Sequence, residues 1–352
     1  MLSPDPPSAV DRAGLRYVDT HEPGLSRSRS GRGFSYREPG GQLLRDRQVL
    51  ARIRALAIPP AWTEVWICSD ADGHIQAVGR DGKGRKQYRY HPEWSRTRGL
   101  SKYAELAGFG ARLPLLRDRV GVDLSARGLP RHKVIASVVW LLDQTLIRVG
   151  NAAYARENGS FGLTTLRQRH LDISGSTLKF AFRGKSGKAW QLAISDRRIA
   201  RVLRSIQDLP GQSLFQYIDA QGDRVAIASN DVNAYIRDVV GEEYSSKHFR
   251  TWGGTVRALH ILGCISTEAT KTARARILNS ALDQVAGRLG NTRAVCRACY
   301  VHPAILSHWQ EGALHDEVRD LKRKRPRRKG LDDQEALTLR WLDTCVRTGP
   351  AQ

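Results

Sequence analysis

The stretch GNTRAVCRACYVHP, residues 290–303, holds a Cys-x-x-Cys pair, a histidine three residues beyond it and a tyrosine between them. Structural zinc calls for four ligands, from two such pairs or from a cysteine pair with a histidine pair. Cys296 and Cys299 have no second pair, and His302 follows too closely for the usual spacing. A redox Cys-x-x-Cys needs a βαβ setting, which the surrounding sequence lacks. The two cysteines therefore read as small apolar residues on a short helix. That leaves Tyr300 as the group with chemistry to offer.

A free tyrosine ionises at about pH 10, so it becomes a nucleophile only with help. Guanidinium and ammonium groups nearby favour the phenolate as it attacks a phosphodiester. A pentacoordinate phosphorus also needs cations and donors on its equatorial oxygens. Asn291, Thr292, Arg293 and Arg297 are donors close in sequence. A tyrosine in this role predicts further arginines and lysines brought in from elsewhere in the domain. A packed ring with its hydroxyl satisfied is the alternative for a lone tyrosine.

The rest of the chain supports an anionic substrate. Its 352 residues carry 57 Lys and Arg against 35 Asp and Glu, a net charge of +22. An excess this large points to a polyanion, nucleic acid first. Five cysteines, an odd number in a long chain, argue against a disulfide framework and for a reducing compartment. The N-terminal residues lack the apolar core of a signal peptide, and no apolar run is long enough to span a membrane. A soluble cytoplasmic protein is expected. No G-x-x-x-x-G-K-[ST] loop and no carboxylate cluster suited to magnesium is evident, so neither ATP nor a required metal is expected.

The elements that would position Tyr300 fall into two groups, an α+β organisation. Residues 1–13 read as a flexible arm, continued by the basic stretch HEPGLSRSRSGRG. Residues 14–98 read as a β-rich domain. DRQVLARIRALAIPPAW gives a short helix stopped by Pro59 and Pro60. EVWICSDADGHIQAVGRDGKGRKQYRYHPEW alternates apolar and polar residues, with Asp-Gly turns at Asp72–Gly73 and Asp81–Gly82. SRTRGLS, residues 95–101, reads as the linker. Residues 101–352 read as a mainly helical domain with a small sheet. Its strands lie in HLDISGSTLKFAFRGKSGKAWQLAI, with the tight turn at RGKSGK, and Ser245 is a plausible cap for the helix that follows it. The basic run at 322–329 resembles a nuclear signal but is read as a solvated loop able to touch DNA.

IRVGNAAYARENGSFGLTTLRQRHL, RGKSG, KHFRTWGGT and GNTRAVCRACYVHP appear in that order, after AIPPAWTEVWI and GHIQAVGRDGKGRKQYRYHPEW. Together they resemble the signature blocks of the type IB DNA topoisomerases, in the poxvirus-like bacterial branch, from about residue 14 to at least 310. The resemblance implies a monomeric two-domain clamp around double-stranded DNA in the nucleoid. It implies catalysis by a 3′-phosphotyrosyl intermediate. Tyr300 falls on the nucleophile, Arg148 and Arg250 on the two catalytic arginines, and Lys185 on the lysine that protonates the departing 5′ oxygen. Asn291 stands where most of the wider family has histidine. An asparagine can donate a hydrogen bond to phosphate but cannot exchange a proton at neutral pH. Gln87, Tyr88 and Tyr90 match positions that contact the duplex, and a basic, aromatic strand suits phosphate contacts with ring packing. Lys247, one helical turn before Arg250, is a further DNA contact.

Two other functions fit parts of this pattern. A tyrosine recombinase resembles the same catalytic layout, but usually carries histidine three residues before the second arginine, where this chain has Lys247, and its first domain is typically helical. An architectural DNA-binding protein would account for the charge, would not require Tyr300 and would form no covalent adduct.

Overall fold

The computed structural model describes residue 10 and residues 14–267, 270–323 and 328–348. Apart from Val10, the arm expected at 1–13 lies outside the described residues, as do residues 324–327 of the basic run. The chain divides into two compact units, one ending at Lys102 and the other starting at Tyr103. Helices and sheets are mixed as an α+β protein requires.

In the first unit, β1 (Leu25–Ser30), β2 (Gly33–Arg37), β3 (Thr63–Ile67), β4 (Ile75–Arg80) and β5 (Lys86–Tyr90) build one antiparallel sheet of order β2-β1-β3-β4-β5 against the short helix α1 (Arg47–Ala55), and β1 takes up part of the basic stretch expected to continue the arm. Asp46 caps α1, accepting from the backbone N–H groups of Gln48 and Val49 at 2.7 and 3.2 Å. Strand alternation sends Leu25, Val65, Ile67 and Ala77 to one face, where they bury Ile53 of α1. The other face carries Trp66, Val78 and Tyr88, which lie in register across β3, β4 and β5.

Residues 95–101, expected as a linker, are helical. They lie inside α2 (Pro92–Leu124), whose first turns belong to this unit. Serine, arginine, threonine and leucine carry only small helix penalties, Gly99 costs about 1 kcal/mol, and no proline interrupts the helix before Pro114.

The second unit holds α3 (Arg131–Thr145), α4 (Ala152–Asn158), β6 (Leu171–Ser174), β7 (Thr177–Arg183), β8 (Ala189–Ser195) and α5 (Arg197–Gln207). After the β9 (Gln216–Ile218) and β10 (Arg224–Ala226) hairpin come α6 (Ser229–Val240), α7 (Ser246–Leu262), α8 (Lys271–Leu289), α9 (Arg293–Cys299), α10 (Pro303–Glu311), α11 (Leu314–Arg323) and α12 (Asp333–Thr348). Two of these helices are buried for most of their circumference. α3 buries nine of its fifteen residues, and α7 buries twelve of seventeen, including Phe249, Trp252 and Leu259. Such helices form the centre of a core rather than its surface. Strands β6, β7 and β8 pair antiparallel in chain order, with Leu178, Phe180 and Phe182 of β7 turned into that core.

A buried guanidinium beside the tyrosine

Arg250 projects from α7 and is 4% exposed. Burying a guanidinium costs several kcal/mol unless its donors are met. Here they meet the ends of two helices. One Nη donates to the Leu146 carbonyl at the end of α3, and Nη2 donates to the Leu289 carbonyl at the end of α8, at 2.7 Å. Helix C-termini are the negative ends of their dipoles, so both partners suit a cation. Burial holds the Arg250 guanidinium below its usual range and the charge of Arg148 adds to this, while Tyr300 opposes it.

Leu146 reaches its place through a left-handed turn, φ 58° and ψ 19°. That conformation is uncommon for a branched residue and stores strain. It ends α3, and after the buried Ile147 the chain passes Arg148 outside any helix or strand. This segment is pinned by Leu163 N to Arg148 O at 2.9 Å and Thr164 N to Val149 O at 2.7 Å. Gly162 permits this pairing, since a Cβ there would sit 2.6 Å from the Arg148 carbonyl oxygen.

Tyr300 closes α9 as its C-terminal cap, with its N–H on Cys296 O at 3.0 Å. Cys296 is buried and Cys299 exposed, as a short helix with one packed face would have it. The Tyr300 ring lies with its centroid 4.9 Å from the Arg250 Cζ, a cation–π contact. Its backbone is fixed from α7. The Thr255 hydroxyl donates to Tyr300 O at 3.4 Å, and Gly254 lies so close that a Cβ there would come within 2.5 Å of the same oxygen.

Asn291 follows the left-handed Gly290 that ends α8. Its Oδ1 accepts from Arg148 Nη2 at 2.5 Å. Its Nδ2 is buried without a partner among the described residues, and so is Arg250 Nε. A donor left unmet in a buried place costs about 1–3 kcal/mol. Two such donors beside a tyrosine and a second arginine make a site ready for an anion's oxygens.

Lys185 has no hydrogen bond to this cluster among the described residues. It is exposed on the turn joining β7 to β8, where Ser186 at φ 62° and Gly187 at φ 73° fold the tip back. One side chain ties the hairpin to the pocket. The Trp190 indole lies against Gly184, next to Lys185, and against Gly290, next to Asn291. Nothing in the sequence marks Trp190, Thr255 or the Leu146 turn, because each acts through contacts made only on folding.

Lys247 is exposed on the first turn of α7. Ser245 is the N-cap of that helix, through its backbone N–H to His248 Nδ1 at 3.0 Å. In the first unit, Tyr88 and Tyr90 stack at 5.9 Å, with Lys86 over the Tyr88 ring at 5.7 Å. Gln87 points to the opposite face of β5, the α1 side, and donates to Asp81 Oδ2 at 3.0 Å.

Two family models match the chain. Residues 91–325 match the eukaryotic DNA topoisomerase I catalytic core, and residues 33–81 match the bacterial DNA topoisomerase IB N-terminal domain. DNA topoisomerase 1B of Acanthamoeba polyphaga mimivirus is 32% identical over 295 residues, 82% of this chain and 88% of the relative. The chain belongs to the type IB DNA topoisomerases. More distant relatives are DNA topoisomerase I of Monkeypox virus and DNA topoisomerase 1B of Vaccinia virus (strain Copenhagen), each 20% identical over 243 residues, covering 68% of this chain and 74% of the relative. As a type IB topoisomerase the protein is an isomerase, and all five proposed catalytic positions lie within the span matched to the catalytic core. No described helix of this topoisomerase is long and apolar enough to cross a membrane.

Proposed function

We propose that this topoisomerase relaxes supercoiled double-stranded DNA through a covalent 3′-phosphotyrosine, without ATP or a required metal. The observation that carries the reading is the convergence of Tyr300, Arg250, Arg148 and Asn291, with two buried donors unmet. In the forward step the Tyr300 Oη bonds to phosphorus, its proton passes to solvent, and the bond from phosphorus to the 5′ oxygen breaks. The departing oxygen takes a proton from Lys185 Nζ and leaves as a hydroxyl. Arg148 and Arg250 offset charge on the equatorial oxygens, and Asn291 Nδ2 donates a hydrogen bond there. An amide fits that role because it needs no proton exchange.

The free 5′ end rotates, torsion is released, and the hydroxyl attacks the phosphotyrosine to restore the strand. The covalent bond conserves the energy of the phosphodiester, which removes the need for a nucleotide. Among the described residues no group of three or more His, Cys, Asp or Glu is arranged to hold a metal ion. Lys247 and the stacked Tyr88–Tyr90 pair are proposed DNA contacts. Gln87 joins them if its amide leaves Asp81 for the duplex. The two units are proposed to clamp the DNA as a monomer in the cytoplasm.

The test is relaxation of a supercoiled plasmid in EDTA without ATP, followed by denaturant trapping. The expected result is relaxed circles with protein joined to a 3′ end through Tyr300. Tyr300→Phe should bind DNA and yield no adduct. Relaxation by that variant at the native rate would refute the assignment.

A further inference from the structure

A further arginine joins the elements that hold Arg250. Arg117 of α2 has all five of its N–H donors met within the protein. Nε and Nη2 donate to the two oxygens of Asp143 on α3, at 2.8 and 3.0 Å. Nη1 and Nη2 donate to the two oxygens of Glu335 on α12, each at 2.7 Å. The remaining donor, on Nη1, meets the Gly330 carbonyl at 2.8 Å. Glu335 also accepts from Trp252 Nε1 of α7 at 3.2 Å. It closes the cap of α12 as well, its N–H donating to Asp332 Oδ1 at 2.8 Å and its Oε2 accepting from Asp332 N at 3.1 Å.

These bonds fasten both sides of the Arg250 anchorage. Asp143 lies one helical turn before Leu146, whose carbonyl accepts from Arg250. Trp252 follows Arg250 closely on the same helix. One guanidinium therefore ties the helix that carries Arg250 to the helix end that accepts from it. The packing leaves no slack. A Cβ at Gly253 would come within 2.5 Å of the Leu146 side chain, and one at Gly110 of α2 within 2.3 Å of the Trp252 ring. A Cβ at Gly254 would meet the Tyr300 carbonyl oxygen at 2.5 Å. A shift of Trp252 is thus passed to the backbone that carries Arg250 and supports Tyr300.

Stability alone does not call for this node. It sets two carboxylates, whose side chains are 10% and 9% exposed, on one guanidinium. Replacing a buried ion pair by apolar side chains of similar volume is often neutral or stabilising. What a fully bonded charge network supplies is fixed geometry. The proposed reaction requires it, since misplacing a catalytic group by about 1 Å can slow a reaction about 10²-fold.

We propose that Arg117 and Glu335 are positioning residues of the cleavage reaction, holding Arg250 against Tyr300 through Asp143 and Trp252. The proposal rests on the function above, in which Arg250 offsets charge on the scissile phosphate. It makes α12 a working part of the reaction centre.

The test is a double-variant cycle on single-turnover cleavage of a short duplex, with DNA affinity measured in parallel. Arg117→Lys keeps the charge and loses the paired contacts. It should cleave about 10–100-fold more slowly at unchanged DNA affinity. Added to Arg250→Ala it should slow cleavage by less than about twofold more, because the group it positions is already gone. Glu335→Gln keeps an acceptor for Trp252 and for the α12 cap, and should follow the same pattern with a smaller loss. It carries the test if Arg117→Lys does not fold. Cleavage at the native rate would overturn the proposal. So would losses that multiply in the double variant, as general loosening predicts, or weaker DNA binding that accounts for the whole loss. No adduct from the wild type, or a native rate from Arg250→Ala, would overturn the underlying reaction and this proposal with it, whereas the other outcomes overturn the positioning alone.

Discussion

Arg250 and Lys185 are both cations proposed to act on one phosphate, and the fold treats them in opposite ways. Arg250 is buried and bound to the carbonyl ends of two helices, with a tyrosine ring against it. Lys185 is exposed on a turn whose strands are its main support. The difference fits the tasks proposed for them. A group that stabilises charge works best when fixed before the reaction, since reorganisation then costs nothing. A proton donor has to follow an oxygen that departs, and a long flexible side chain on a hairpin tip can do so.

The largest combined effect, on rate and stability together, is expected at Arg250. Arg250→Ala should slow strand cleavage by at least about 10²–10³-fold. It should also lower stability by about 1–3 kcal/mol for each helix-end carbonyl left unmet. Chemical denaturation and single-turnover cleavage measure the two losses. A variant of native stability would mean that the helix ends do not depend on the guanidinium.

Lys185→Ala should slow cleavage of ordinary DNA by about 10²–10⁴-fold, the usual range for a general acid, and leave stability unchanged. A substrate whose 5′ leaving group needs no proton should recover most of the rate. Equal slowing on both substrates would count against the acid role.

The anchored side should also respond to pH through His302, two residues beyond the tyrosine. Its ring lies edge-on to Tyr103 and Trp341. Burial, with a smaller contribution from the charge of His308, lowers its pKa to about 4. The unfolded chain therefore binds a proton between about pH 6.5 and 4 that the folded chain refuses. Stability from this residue is complete above pH 6.5 and falls as pH drops toward 4, by up to about 3 kcal/mol. Denaturation midpoints of the wild type and His302→Gln across that window would show it. Parallel pH curves would remove the claim.

The smallest change is expected from Asn291→His. Both side chains can donate to a phosphate oxygen and accept from Arg148, so cleavage should stay within about tenfold of native. Complete loss would show that the amide has a geometric role of its own.

Much of this was open to reading before folding, and the reasons differ by residue. Alternation and Asp-Gly turns disclosed β4 and β5, because period and turn chemistry are local. The ordered blocks pointed to Tyr300, Arg148, Lys185 and Arg250 by resemblance, because each lies within a short contiguous motif. The helix across 95–101 was missed because polar residues favour neither a linker nor a helix strongly. The side to which Gln87 points depends on strand register, which its own neighbours do not reveal. The bond from Arg148 to Asn291 joins positions 143 residues apart, and no local pattern encodes it.

Trp190 has a practical consequence. Its indole is wedged between the lysine hairpin and the asparagine turn, so its fluorescence depends on how closely the two are apposed. With the other seven tryptophans replaced, this one ring would be a native optical gauge. Stopped-flow emission could then time the docking of the hairpin against the cleavage step, with no dye attached to protein or DNA.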